Sequence, residues 1–277
     1  MIRYGVPAYR FDTAFFENEM ADLASLGVEF QCKTRIDGAK GARKLLQDGY
    51  KAVFIGVGLW AAERIPGGET LTGVLTSVDF LAMIREERFA EAGKLAEGKV
   101  VAVIGGGSVA MDCVESAIKL GAADAYLVYR RSFAKMPAEE EERLAALRLG
   151  VHFLMLNQPV GYMADNAGHV TGMKLLRTRL GAPDSSGRRK PEEIKGSEWV
   201  LDAQLVVEAI GNRPDTTDWP ALVKTDRGGL VVTDGKTGKT SAGFVFAGGD
   251  IARGPSLVVE AVQDGKLAAR AIRAALA

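Results

Sequence analysis

Val100-Val101-Ala102-Val103-Ile104-Gly105-Gly106-Gly107-Ser108-Val109-Ala110 is an apolar run that meets a G-x-G-x-x-A turn. A short apolar run bounded by a glycine turn predicts a buried strand, and the residues after it, to about Leu120, predict a helix. Strand, glycine turn and helix in this order can hold a dinucleotide pyrophosphate. Gly105 permits the tight turn, Gly107 lets phosphates approach the backbone, and Ala110 is small enough for helix and strand to pack closely. The helix start aims unpaired N–H groups at the anion. No second strand–G-x-G-x-x-G–helix unit is found in the chain.

About twenty residues on, a second strand, Ala125-Tyr126-Leu127-Val128-Tyr129, ends in Arg130-Arg131, with Lys135 nearby. An acidic residue at this strand end would bond the ribose 2′-hydroxyl of NAD. Guanidinium groups match a 2′-phosphate instead, so the pattern predicts NADPH. A basic pair on a loop is common in itself, and its position at the strand end favours the cofactor reading.

Further out, Asp12-Thr13 predicts a cap for a helix to about Leu26, and Val28–Cys32 alternates like a strand. A helix over 39–47 and a strand over 52–55 follow, then Gly56-Val57-Gly58. Ser77–Leu95 reads as one longer helix, and Ala138–Leu149 as a Glu-rich one with a solvated face. Val151–Leu156, Val170–Thr178 and Trp199–Leu201 read as antiparallel pieces, with a polar loop from Pro183 to Pro191. Leu205–Ile210 is an apolar strand ending at Gly211. A short strand near Gly229–Val232, a strand Phe244–Ala247 and a final helix from about Ser256 to Ala275 close the pattern. Alternating strands and helices predict an α/β fold with doubly wound sheets.

Gly248-Gly249-Asp250 is the second candidate site. A carboxylate at that strand end can accept from the ribitol hydroxyls of a flavin. The N–H groups of Ser256, Leu257 and Val258 could face a flavin ring oxygen. An Asp capping a turn would look the same, and the residues leave both readings open.

Composition narrows the rest. The 277 residues carry 35 Lys+Arg against 35 Asp+Glu, so no global charge points to nucleic acid or membrane. The two cysteines, Cys32 and Cys113, form no C-x-x-C, and the two histidines, His152 and His169, are far apart. A metal site, an iron–sulfur set or a Ser-His-Asp triad has almost no material here. Met1–Pro7 holds no apolar leader and no run reaches spanning length, so the expectation is a soluble, cytoplasmic protein.

Arg3–Phe11, Phe54–Gly58, Val103–Asp112, Val128–Arg131, Met136–Glu139 and Val245–Glu260 occur in this order. Together they resemble the small (beta) subunit of NADPH-dependent glutamate synthase and the FAD/NADPH portion of dihydropyrimidine dehydrogenase, flavoproteins of the pyridine nucleotide-disulfide oxidoreductase type. The resemblance covers essentially the whole chain. It implies two Rossmann-like dinucleotide-binding domains, the NADPH domain (81–214) inserted in an FAD domain (1–80 and 215–277). It implies that Gly106, Gly107, Ser108 and Val109 hold the NADPH pyrophosphate. Arg130, Arg131 and Lys135 would hold the 2′-phosphate, and Ala209, Ile210 and Gly211 would pass beside the nicotinamide. Gly249, Asp250, Ser256, Leu257, Val258, Gly58, Arg10, Arg3 and Tyr4 would line the FAD.

Against the family pattern, the chain departs at its start. The cysteine-rich cluster domain and the first FAD-binding βαβ are expected to be missing. Two readings are open. In one, a protein partner supplies that βαβ and the iron–sulfur clusters, and the two chains form a split oxidoreductase. In the other, the chain is a flavin-free NADPH-binding module with a sensing or structural role, or a truncated gene product. Hydride transfer itself needs no protein general acid, so no catalytic side chain is expected.

Overall fold

The computed structural model describes residues 2–7, 9–85, 89–183, 189–215 and 218–277. The chain opens with α1 (Thr13–Ser25), α2 (Gly38–Gln47), β1 (Val53–Ile55) and β2 (Ala61–Ala62). Next come β3 (Val74–Thr76), α3 (Ser77–Arg85), α4 (Phe89–Ala96), β4 (Val100–Ile104), α5 (Ser108–Lys119), β5 (Asp124–Tyr129), α6 (Glu140–Arg148) and β6 (His152–Met155). They are followed by β7 (Asn157–Ala164), β8 (Val170–Pro183), β9 (Arg189–Glu193), β10 (Trp199–Asp202), β11 (Leu205–Glu208) and β12 (Asn212–Arg213). The last stretch holds β13 (Val245–Ala247), α7 (Asp250–Arg253) and α8 (Val258–Leu276). The fold is α/β, with two compact units: Met1–Gly27 with Glu63–Gly211, and Val28–Ala62 with Asn212–Ala277.

The first unit is built on a parallel sheet ordered β3-β11-β4-β5-β6. Strand alternation divides its side chains between two faces. Val101, Val103, Leu127, Leu205 and Val207 point to one side and pack on α3 and α5 through Phe80, Leu81, Met111 and Val114. Ala102, Ile104, Val128 and Val206 point to the other and meet Val170, Met173, Leu175 and Leu201 of β8 and β10. A helical layer thus covers one face and an antiparallel sheet (β10-β8-β7, with β9 on β8) the other. Both faces are covered, so β4, and β11 as far as Val207, read as continuous apolar runs.

The second unit pairs β1 with β13 in parallel, and its β2 pairs with β12 antiparallel. Its core gathers Ala42, Ile55, Trp219, Val223, Val231, Val245 and Ile251. Asp218 accepts from the Ala39 N–H at 2.9 Å and so caps α2 from a distant part of the chain. Among the described residues β1 has a strand on one side only.

Several expectations are corrected. Val28–Cys32 forms no strand. Its residues are exposed and no strand pairs with them, so alternation alone did not suffice. Near Gly229–Val232 there is only an isolated bridge, Thr225 to Val231, because the Asp226 carboxylate draws the N–H groups of Gly228 and Leu230 into a turn. Val151–Leu156 is not an antiparallel piece, since β6 runs parallel to β5 as the sheet edge. Leu156, at a φ of 57°, turns the chain out of that sheet into β7, which the sequence reading missed. The stretch 77–95 gives α3 and α4 with 86–88 outside the described residues, as are 184–188 of the polar loop and Ala8 of the first motif.

Candidate functional site

The glycine turn sits where β4 meets α5, and its three glycines are there for different reasons. Gly105 has a φ of 145°, and a Cβ on it would collide with the Ala209 carbonyl beyond β11. A Cβ on Gly106 would fall 2.6 Å from the Tyr129 ring. A Cβ on Gly107 would meet nothing within 4 Å. The protein leaves that space open, and it lies at the first N–H groups of α5, where a phosphate would approach the backbone. This geometry suits a pyrophosphate.

Around the turn the chain is tightly strapped. The Gly105 N–H donates to the Val128 carbonyl at 3.0 Å, and the Ala138 N–H to the Gly106 carbonyl at 3.0 Å. Tyr129 donates its hydroxyl to the Lys135 carbonyl at 2.9 Å, fixing the short turn that carries Lys135. The Ser108 hydroxyl donates to Glu142 at 2.8 Å, so what Ser108 retains for an anion is its backbone N–H. Val109 is exposed beside it.

Arg130 and Arg131 follow β5 directly, and their roles differ locally. Arg130 is exposed, and its side chain has no hydrogen bond or ion pair among the described residues. Arg131 is half-buried, and its Nε donates to the Arg189 carbonyl at 3.1 Å, fastening β9 beside the strand end. Ala209, Ile210 and Gly211 leave β11 next to the same turn, with the Ala209 N–H donating to the Ile104 carbonyl at 2.8 Å. Just before them, the buried Glu208 accepts from Arg64 (2.6 Å), the Ile65 N–H (2.8 Å) and the Tyr162 hydroxyl (2.6 Å). Burial and this carboxylate push the Tyr162 phenol up.

Arg10, Arg3 and Tyr4 belong to this first unit. The Arg10 guanidinium is held between Asp112 of α5, which accepts from its Nε, and Glu142 of α6 at 2.8 Å. Burial pushes the Asp112 carboxyl up to about 6, against the opposing pull of Arg10 and with Glu142 and Glu115 adding to the rise. The guanidinium carbon of Arg3 lies 5.9 Å from the Tyr4 ring centre, and the Arg3 carbonyl accepts from Arg85 at 3.0 Å.

Gly58, Gly249, Asp250, Ser256, Leu257 and Val258 lie in the second unit. Gly249 has a φ of 69°, and Gly248 has no room for a Cβ, which would fall 2.6 Å from the Asp264 Cβ. Asp264 locks the turn by accepting from the Gly249 N–H at 2.8 Å and from Arg253 at 2.9 Å. Asp250 Oδ1 accepts from Ser256 through N–H and hydroxyl at 3.3 and 3.4 Å, and burial raises its pKa. Its Oδ2 has no partner among the described residues. The Leu257 N–H is donated to Glu260 at 3.0 Å, so of the three N–H groups expected to face a ligand, that of Val258 is left. Leu257, Val258 and Val259 expose their side chains there, and Phe54, Val57 and Trp60 are also exposed. A free carboxylate oxygen close to an apolar helix start suits a group with both hydroxyls and a flat ring.

The sequence reading missed Asp112, Glu142 and Asp264. Asp112 had a signal, an acid inside the apolar run of α5. Glu142 had another, a Glu three residues after Glu139 at a helix start. Two outcomes follow. Gly107→Ala is expected to leave thermal stability within roughly 1 kcal/mol of the parent, because the entropy gain at an unstrained φ is offset by loss of the glycine N-cap of α5, while weakening NADPH binding. Gly105→Ala is expected to destabilise the chain, and thermal melts with nucleotide titrations separate the two. The second outcome concerns pH. The folded pKa of Asp112 lies above its unfolded value of 3.8, so its ionised form opposes folding. Stability referred to Asp112→Asn should therefore rise as pH falls from above 6 towards 4. Urea midpoints of both proteins across that window check it, and a constant difference would contradict the burial account.

Comparison with known proteins places the chain in a family. The chain is 39% identical over 275 residues to the NADP(+)-dependent formate dehydrogenase subunit beta of Moorella thermoacetica, covering 98% of this chain and 38% of that protein. It is 35% identical over 290 residues to the glutamate synthase [NADPH] small chain of Escherichia coli, covering 98% of this chain and 60% of the other. The chain thus spans less than two thirds of the length of these relatives. Among solved structures, Mycobacterium tuberculosis FprA in complex with NADPH has a similar fold, with a TM-score of 0.76 and 20% identity over 99% of this chain and 74% of FprA. The family model of the pyridine nucleotide-disulphide oxidoreductases matches residues 20–265, and the chain belongs to that family.

Proposed function

We propose that this chain is the nucleotide- and flavin-binding part of an NADPH-dependent oxidoreductase, and that it passes electrons onward to a partner subunit. The observation that carries the reading is the open space at Gly107, at the first N–H groups of α5 and at the end of the strand next to that of Arg130. The names of relatives, NADP(+)-dependent or NADPH-dependent in each case quoted, support it.

When bound, NADPH and FAD supply hydride-transfer chemistry. The residues of the chain bind and orient. The Ser108 and Val109 N–H groups and the α5 dipole neutralise the pyrophosphate. Arg130, with Arg131 and Lys135, pairs with the 2′-phosphate, and Ala209–Gly211 line the nicotinamide side. Asp250 Oδ2 accepts from the ribitol, and the start of α8 at Val258 faces the ring, with Gly58 also on the flavin side. The edge of β1 that no strand pairs among the described residues fits a further strand, and we assign it to the βαβ unit of a protein partner that also carries iron–sulfur clusters.

Visible spectroscopy tests this assignment. The chain co-purified with its native partners should show a flavin band that bleaches on anaerobic NADPH addition. NADPH binding with no flavin in any preparation would support the flavin-free module instead. For the nucleotide choice, Arg130→Ala with Arg131→Ala should weaken NADPH at least roughly tenfold, from about 1.5–3 kcal/mol per charge-assisted contact. NADH should change little, and equal losses for both nucleotides would remove the 2′-phosphate assignment.

A further inference from the structure

Two carboxylates flank the proposed pyrophosphate turn. Glu142 Oε2 accepts the Ser108 hydroxyl at 2.8 Å and the Glu139 N–H at 3.0 Å, which fixes it one side chain away from the first N–H groups of α5. Asp112 stands one helical turn further along, four residues from Ser108. Both are nearly buried, their side chains 13% and 10% exposed, so water screens them poorly. Left alone, they would set negative charge beside the place where α5 offers its positive end.

The residue that answers them is Arg10, from the segment before α1. Its Nε pairs with Asp112 and its Nη1 with Glu142 at 2.8 Å. The two pairs raise the Arg10 pKa against the opposing effect of burial. One fork thus ties the N-terminal segment, α5 and α6 together and cancels one of two negative charges.

We infer that Arg10 is a positioning residue for NADPH. By holding Glu142 and Asp112 in ion pairs, it keeps the amino end of α5 receptive to the pyrophosphate. This rests on the reading of the glycine turn as the nucleotide site. Arg10 need not touch the nucleotide, because its effect passes through Glu142 and Ser108. An uncompensated carboxylate hydrogen-bonded to Ser108, at the first N–H groups of α5, would weaken anion binding on the order of tenfold.

The test is calorimetric titration of the full chain with NADP+, which needs no turnover. Arg10→Met is expected to raise the Kd roughly tenfold, and Glu142→Gln added to it should restore the Kd to within about threefold of the parent. A merely structural role for Arg10 would not be rescued by removing a second partner of the same network. Glu142→Gln alone keeps an acceptor for Ser108 and is expected to tighten NADP+ by about twofold or more, a result that stands even if Arg10→Met fails to fold. Unchanged affinity in a folded Arg10→Met protein would overturn the inference while leaving the nucleotide site in place. Lack of rescue, or weaker binding in Glu142→Gln alone, would overturn it in the same way. Failure of the parent chain to bind NADP+ would overturn both.

Discussion

The backbone of Gly105 passes the carbonyl of Ala209 with no room for a Cβ between them. Much of the first unit follows from that crowding. It arises because β4 and β11 are adjacent parallel strands that end at the same level, so the turns leaving them must share one small volume. A positive φ at residue 105 directs the chain away and starts α5 three residues later, with the helix N-terminus at the carboxyl end of the central strand β4. The small Ala110 completes the fit on the helix side. A parallel sheet collects its loops at one end of its strands, and ligand sites in such sheets form there.

That logic explains what was legible in the sequence. The strand, turn and helix around Gly105 are contiguous, and each is fixed by local sterics and local polarity, so they could be read directly. The same holds for the Asp12 cap, whose side chain accepts from the Ala14 N–H, and for the alternation of β8. Strand direction was not legible, because periodicity carries no sign. β6 has an apolar pattern that suits either direction, and only its place beside β5 makes it parallel. β7 was hidden by Pro159 and Gly161, residues that weaken a strand pattern and here mark an irregularity in the ladder. Val28–Cys32 shows the converse, a good local pattern without a neighbour.

In the candidate sites the glycines and the strand-end arginines were visible because they stand next to their motifs. The carboxylates that organise the surroundings were not. Arg10 and Asp112 are separated by about a hundred residues, and Arg64 and Glu208 by more. Each such pair has a mostly buried acid and a more exposed arginine. Removing one partner of such a pair leaves an uncompensated charge in a poorly screened place, and that loss exceeds what the pair itself contributes. These pairs therefore act as devices for geometry: one beside the glycine turn, the other where β11 hands the chain to Ala209–Gly211.

The one-sided pairing of β1 has a bearing on supply. Among the described residues β1 is paired on one side only, and such an edge with exposed apolar neighbours is a template for a strand of another chain, including the same edge of another copy. Self-encounter grows with the square of the chain's concentration, whereas capture by a strand donor grows with the product of the two. With a strand donor of the kind proposed above, matched synthesis of donor and acceptor would keep the edge occupied, whereas a surplus of this chain would favour its own kind.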